Sequence, residues 1–287
     1  MRYIYMDNAA TTPVLREVLD AMLPYFAESP GNPSSTHAFG RDARAAVEKA
    51  RAQVAAAIGA SPREIYFTSG GTESDNWAIK GMAFAGRSHG KTHIITSAIE
   101  HHAVLNACAW LEKQGFLVTY LPVDGEGRVD PDAVETAICG NTALVSVMAA
   151  NNEIGTVEPI VEIGAVARKH GIPFHTDAVQ AIGNLPVNVD DWRADLLSLS
   201  AHKFHGPKGV GALYVRRGIV PNNLLHGGAQ ERERRGGTEN VPGIVGLGCA
   251  IETAAARREE NAARMSALRD RLIEGVLAAV PESRLNG

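Results

Sequence analysis

The stretch that decides the fold is Ser198-Leu199-Ser200-Ala201-His202-Lys203-Phe204-His205-Gly206-Pro207-Lys208-Gly209-Val210-Gly211-Ala212-Leu213-Tyr214. An apolar run, Leu196 to Leu199, leads into Ser200, His202 and Lys203, and a Gly/Pro-rich turn then enters a second apolar run, Val210 to Val215. The pattern predicts strand, tight loop, strand, with Lys203 held at a strand end. A protonated lysine is a poor nucleophile, so a reactive one needs its pKa lowered by desolvation or a neighbouring cation. Such an amine can form a Schiff base with pyridoxal phosphate. Taken alone, Lys203 reads first as an ordinary surface lysine, and its neighbours in the pattern must decide.

Two other stretches supply those neighbours. The first is His175-Thr176-Asp177-Ala178-Val179-Gln180, after the short apolar segment Ile172 to Phe174. A carboxylate at a buried strand end needs a positive partner. A protonated pyridine nitrogen is one such partner, and a plain helix N-cap is the competing reading. The second is Phe67-Thr68-Ser69-Gly70-Gly71-Thr72-Glu73-Ser74-Asp75-Asn76, a strand running into a glycine pair and a helix expected to start near Ser74. Free backbone N–H groups and the positive helix end make that turn a phosphate cradle, with the Thr72 hydroxyl as a further donor. Most glycine turns of this kind bind nothing, so it gains meaning only beside Lys203 and Asp177.

Along the chain, helical spacing is expected over Val14 to Phe26, with Val14, Val18, Met22 and Phe26 on one face. Ser29 to His37 is irregular and leads to a long helix, Ala38 to Ile58, stopped by Gly59. Strands Ile65 to Thr68, His93 to Ser97, Leu117 to Leu121, Ala143 to Met148, Ile172 to His175 and Leu196 to Ser200 then alternate with helices Ser74 to Ala85, His101 to Gln114, Asp130-capped to Ile138, and Pro159 to His170. Such alternation implies an α/β fold, a mostly parallel sheet sandwiched by helices, with ligands gathered at the strand carboxyl ends. Val241 to Val280 reads as mostly helical, and its Arg257-Arg258-Glu259-Glu260 run reads as a solvated face.

The motifs together resemble the cysteine desulfurases, the iron-sulfur cluster assembly type within the class-V aminotransferase family of fold-type-I pyridoxal phosphate enzymes. The resemblance is carried by Tyr5 to Thr12, Gly31-Asn32-Pro33-Ser34-Ser35-Thr36-His37, Thr68 to Asn76, Glu100-His101-His102-Ala103-Val104, Asn151-Asn152-Glu153-Ile154-Gly155, His175 to Gln180, Ser200 to Gly209 and Arg235-Gly236-Gly237-Thr238-Glu239-Asn240. It implies that Lys203 forms the Schiff base and shuttles the α-proton, and that His101 stacks on the ring and relays protons. Asp177 would pair with the ring nitrogen, and Gln180 and Asn152 would bond the ring oxygen and the substrate carboxylate side. Gly71, Thr72, Ser200 and His202 would hold the phosphate. Thr238 would reach the neighbouring subunit's phosphate in a homodimer, although its glycine-rich loop also reads as a surface turn. The implied reaction converts L-cysteine to L-alanine and passes sulfur to an enzyme cysteine and on to an iron-sulfur scaffold protein. Alternatives on the same scaffold are a selenocysteine lyase, a kynureninase-like hydrolase or an aminotransferase, and, from another class, a non-catalytic fragment.

The resemblance divides the chain into an N-terminal segment, 1–14, a cofactor-binding large domain, 15–255, and a helix leading into a largely missing small domain, 256–287. The family places its nucleophilic cysteine and a carboxylate-binding arginine in that small domain. Cys108, Cys139 and Cys249 are expected to be structural instead, packing as small hydrophobes.

Composition is compatible. The chain has 287 residues, of which 45% are hydrophobic and 21% charged, enough for one large core. A net charge of -4 argues against nucleic acid. No apolar run reaches the ~18 residues of a membrane span, and the N-terminus turns polar too soon for a secretory signal. Three scattered cysteines give no disulfide framework or zinc pair, so the expected address is the cytoplasm.

Overall fold

The computed structural model describes residues 3–287; Met1 and Arg2, the start of the segment judged too polar for a signal, lie outside them. Seven strands form one sheet: β1 Ile65–Thr68, β2 His93–Ser97, β3 Leu117–Leu121, β4 Thr142–Ser146, β5 Phe174–Asp177, β6 Leu196–Ser200 and β7 Gly211–Val215. Their order is β1-β7-β6-β5-β4-β2-β3. Only β7 runs against its neighbours, pairing antiparallel with β1 and β6, while the remaining pairs are parallel. The expected mostly parallel sheet is therefore present, and the other six strands end on one rim.

Period-2 alternation sends successive side chains to opposite faces. Ile95, Val145, Leu197, Leu199 and Tyr214 join one core cluster with the long helices α3, Ala38–Ile58, and α9, Val241–Ala279. Ile94, Leu144, Leu196, Leu213 and Val215 join the other, under α4, Gly71–Arg87, and α5, His102–Glu112. Helices cover both faces because strands apolar on both sides must be buried on both. Among the described residues, no helix is long and apolar enough to cross a membrane.

Several boundaries differ from expectation. Val14 to Phe26 is not one helix: α1, Arg16–Met22, and α2, Pro24–Ala27, meet at Pro24, which has no N–H to continue the ladder. Val18 and Met22 are buried, but Val14 and Phe26 are exposed. Helix α4 begins at Gly71 rather than near Ser74, because Gly70 turns the chain with φ 147° and Glu73 in the first turn accepts the Ser69 N–H at 2.8 Å. β4 ends at Ser146, and β5 begins two residues late, which makes Asp177 its last residue. Helix α5 starts after His101, its N-cap. The helix Ala38 to Ile58 ends as expected, with Gly59 in the left-handed region at φ 70°. The Asp130-capped helix α6 spans Pro131–Ala137, and α7 spans Ile160–Lys169. The short turn α8, Gln230–Glu233, precedes α9. Helix α9 is one continuous rod, buried as far as Ile251.

Candidate active site

Strand ends and the loops that follow them assemble one cavity of about 240 Å³. Its walls include Gly71 and Thr72 from the first turn of α4, His101 from the α5 N-cap, Asn152 after β4, Asp177 and Gln180 at and after β5, and Ser200, His202 and Lys203 at the end of β6. Nine of the ten residues singled out from the sequence thus face one space. Thr238 does not: it is exposed and lines an adjoining cavity with Ser69 and Gly209.

Lys203 sits in a 3-10 turn, Ala201–Lys203, directly after β6, within the tight loop expected there. Burial lowers its pKa, against the opposing pull of Asp177, Asp7 and Glu153. Its Nζ donates to the Ala9 carbonyl, and Gln180 Nε2 donates to the same oxygen at 3.0 Å. The N-terminal segment is fastened to this turn: Thr12 N and Oγ1 both donate to the His202 carbonyl, at 2.9 and 2.8 Å. Thr11 Oγ1 lies 3.1 Å from His202 Nδ1. His202 has its pKa lowered by burial and by Lys203 and Lys208.

Asp177 is buried, and its Oδ1 accepts the Val179 N–H at 2.9 Å. No helix follows, so the N-cap reading of this aspartate does not hold. Burial raises its pKa, while Val179, His101 and Lys203 pull it down. His101 Nδ1 accepts the Ala103 N–H at 3.1 Å, which leaves Nε2 as the nitrogen that carries the proton in the neutral ring. Asn152, half-buried, bonds Glu153 Oε1 through Nδ2 at 2.7 Å.

The phosphate-type end is built from backbone. The first N–H groups of α4 have no intrahelical partner, and Ser200 and His202 border the same space together with Lys208 and Gly209. A side chain at position 71 would start 2.8 Å from Val179 Cγ2, so glycine keeps this wall open. Arg235 braces the turn through Glu73, at 2.8 and 3.1 Å, a link that the sequence reading missed.

Two buried acids were also missed. Asp75, on α4, lines the cavity, and its Oδ1 has no hydrogen-bond partner among the described residues. Glu100 accepts Ser97 Oγ at 2.7 Å and the Met148 N–H at 2.9 Å, and burial pushes its pKa up to about 8. Both lie inside motifs that the sequence reading quoted, but one-dimensional order does not show that they converge on Asp177.

None of the three cysteines lines the cavity. Cys108 is buried in α5, and burial pushes its thiol up to about 12, as expected of a structural residue. Cys139 departs from the buried packing expected of it: it is exposed, with Sγ 2.9 Å from Asn141 Oδ1 and 3.3 Å from His93 Nδ1. It precedes β4, at the rim opposite the cavity. Cys249 is partly exposed on α9.

Comparison with known proteins agrees with the geometry. The aminotransferase class-V family profile matches residues 4–287. The chain is 62% identical over 284 residues to the cysteine desulfurase IscS of Methanosarcina thermophila, covering 99% of this chain and 70% of that protein. It is 57% identical to the IscS of Dictyoglomus turgidum, covering 100% of this chain and 72% of that protein. Among solved structures, a NifS-like protein superposes with a TM-score of 0.94 at 46% identity, covering 97% of this chain and 76% of the other. A structure described as SspA in complex with cysteine gives 0.85 at 50% identity, covering 87% and 72%. Matched along its length in sequence and in fold, the chain belongs to the cysteine desulfurases of the class-V aminotransferase family.

Proposed function

We propose that this chain binds pyridoxal phosphate in the cavity at the strand ends and uses it to take sulfur from L-cysteine, leaving L-alanine. The observation that carries the reading is the polarity of that cavity. Its lining joins the unpartnered helix N–H groups with Ser200 and His202, buried carboxyls and the Lys203 amine. An elongated group with a phosphate at one end and a protonated ring nitrogen at the other satisfies both the donors and the acids. It also gives the unpartnered acid side a positive neighbour.

When bound, pyridoxal phosphate supplies an electron sink for breaking bonds at the substrate α-carbon. The residues supply the rest. Lys203, whose pKa desolvation lowers so that its amine is more readily unprotonated and nucleophilic, would hold the aldehyde carbon and then carry a proton at its Nζ. Asp177 would keep the ring nitrogen protonated, and His101 would lie against the ring. Gly71, Thr72, Ser200 and His202 would hold the phosphate, while Gln180 and Asn152 would orient the ring oxygen and the substrate side. The sulfur acceptor must be a thiolate; in this arrangement it is none of Cys108, Cys139 and Cys249, which stand outside the cavity.

The same reading assigns residues 15–255 to the cofactor domain and 256–287 to the arm of a second lobe, supported by the end of burial at Ile251 on α9. It also makes Thr238 a contact to a second subunit's phosphate, supported by its exposure outside its own cavity. It further implies an iron-sulfur scaffold as sulfur acceptor and a cytoplasmic setting. The test is titration with pyridoxal phosphate followed by visible absorbance, borohydride reduction and peptide mapping. One equivalent attached at Lys203, with a band that L-cysteine perturbs, is the expected result. A colourless protein, unchanged by Lys203→Ala, would remove the cofactor claim. An L-cysteine response that leads to amino transfer rather than alanine would favour the aminotransferase reading.

A further inference from the structure

Behind the cavity runs a polar seam on the α4 face of the sheet. Ser146 on β4, His175 and Asp177 on β5 and Ser198 on β6 share this face, because β4 Ser146 pairs with His175 and β5 Asp177 pairs with Ser198. All four are buried. His175 is held from both sides, with Nδ1 2.8 Å from Ser146 Oγ and Nε2 3.0 Å from Ser198 Oγ. Both ring nitrogens are therefore occupied, and burial drives the ring pKa down to about 3, so His175 is neutral at working pH.

Asp75 closes this seam from above, on α4, with 1% of its surface exposed. Its Oδ1 lies 3.7 Å from His175 Nε2, too far for a hydrogen bond, and has no other partner among the described residues. One carboxylate oxygen of Asp75, one of Asp177 and one ring nitrogen of His101 lie within 4.8 Å of one another. The charged or titratable groups facing Asp75 are Asp177 and His175 from β5 and Glu100 and His101 from the segment before α5, while Lys203, from the turn after β6, acts on Asp177 and lines the same cavity. Three buried carboxyls thus lie close enough to act on one another's charge, beside a neutral histidine. Like charges so close do not all ionise. Asp177 already takes a backbone N–H, which favours its charged form; Asp75 has the Ser198 hydroxyl as a donor, but its Oδ1 is left without one and gains a partner by carrying a proton.

We propose that Asp75 is a positioning residue, a neutral carboxylic acid whose proton is directed at the Asp177 carboxylate and holds that carboxylate in place against the cofactor ring. This rests on the cofactor reading above for its consequence, though not for the protonation state of Asp75. Burial, then the Asp177 charge, holds the Asp75 carboxyl well above the usual carboxylate range, in the same sense.

Two measurements test it. In the cofactor-free chain carrying Glu100→Gln, an infrared difference spectrum against the additional Asp75→Asn variant should show the carbonyl stretch of one protonated acid at neutral pH. A carboxylate band instead overturns the proposal whether or not the chain binds pyridoxal phosphate. In the loaded chain, Asp75→Asn, whose amide still donates, should keep the cofactor affinity and the pH midpoint of the visible band. Asp75→Val should weaken affinity about tenfold, the value of a lost bond to a charged acceptor, and move that midpoint. Loss of affinity in the Asn variant would show that the negative charge of Asp75, not its proton, is what the ring requires. Should the Val variant not fold, the Asn result and the infrared band still decide.

Discussion

Glu100 shows what a single buried acid does to stability. Its carboxyl titrates near 8 in the folded chain instead of 4.5, chiefly because burial disfavours the charge. Between those values the folded state holds a proton that the unfolded chain has lost, so stability falls as pH rises. His175 acts in the opposite sense, since its folded pKa is lowered to about 3 and its contribution is lost as pH drops below 6.5. The window above 6.5 therefore isolates the acids. There, thermal melts should show Glu100→Gln losing stability less steeply than the parent, by about 1 kcal/mol per pH unit. Equal slopes would mean that Glu100 is already ionised. Sequence order made Lys203, Asp177 and His101 legible because each lies in a short motif with its own chemistry. Asp75 and Glu100 were not legible as site residues, because only the convergence of α4, β5 and the α5 entry gives them a shared environment. The cysteines belong to the same scale. Replacing Cys108, Cys139 and Cys249 together with alanine should leave pyridoxal phosphate binding intact in the absorbance titration, whereas Lys203→Ala abolishes the band.

At the scale of elements, the turn between β1 and α4 depends on close backbone approach. A Cβ on Gly211 would stand 2.5 Å from the Leu199 carbonyl oxygen and 2.7 Å from Gly70 Cα. Backbone cannot yield as a side-chain tip does. Gly211→Ala should therefore cost about 1–3 kcal/mol in denaturant unfolding, and should weaken phosphate binding by displacing Gly70. Substitution by alanine at Gly125, where nothing lies within 4 Å of the added atom, is the control. The Arg235 to Glu73 pair acts on the same turn. Arg235→Met, which retains bulk and removes the charge, should lower cofactor affinity more than it lowers the melting temperature. Helices and strands themselves were largely readable: Ile65–Thr68, His93–Ser97, Leu117–Leu121 and Leu196–Ser200 fall where the apolar runs put them. The errors lie where backbone hydrogen bonding outvotes composition, as at Pro24 and in the first turn of α4.

Across the whole molecule, α9 carries the clearest contrast. Its first part packs on α3 and α1, but Met265, Leu268 and Leu272 are 50%, 59% and 63% exposed. Apolar area of this kind promotes self-association. Leu268→Glu with Leu272→Glu should raise the concentration at which the chain elutes as a single species from size exclusion, with no change in cofactor titration. Unchanged elution would show that this face is inert. A buried link of similar reach ties the distal turn to the sheet: Arg51 grips Glu231 at 2.8 Å through two nitrogens, and Glu231 also accepts the Phe67 N–H at 2.9 Å. Breaking it at Glu231 leaves the buried guanidinium with Glu48, a largely exposed residue, as its remaining ion-pair partner, a destabilising change.

The sequence by itself determined the alternation of strands and helices, the chemistry of Lys203, Asp177 and the Gly70-Gly71-Thr72 turn, and the family to which they belong, because each is written in local periodicity or a short motif. Only the tertiary structure decided that the Ala9 carbonyl meets Lys203, that Arg235 braces Glu73, and that Asp75, Glu100 and Asp177 come close enough to act on one another's charge. Those relations join residues far apart in the chain, and their energies come from desolvation and charge proximity, which exist only once the layers have packed.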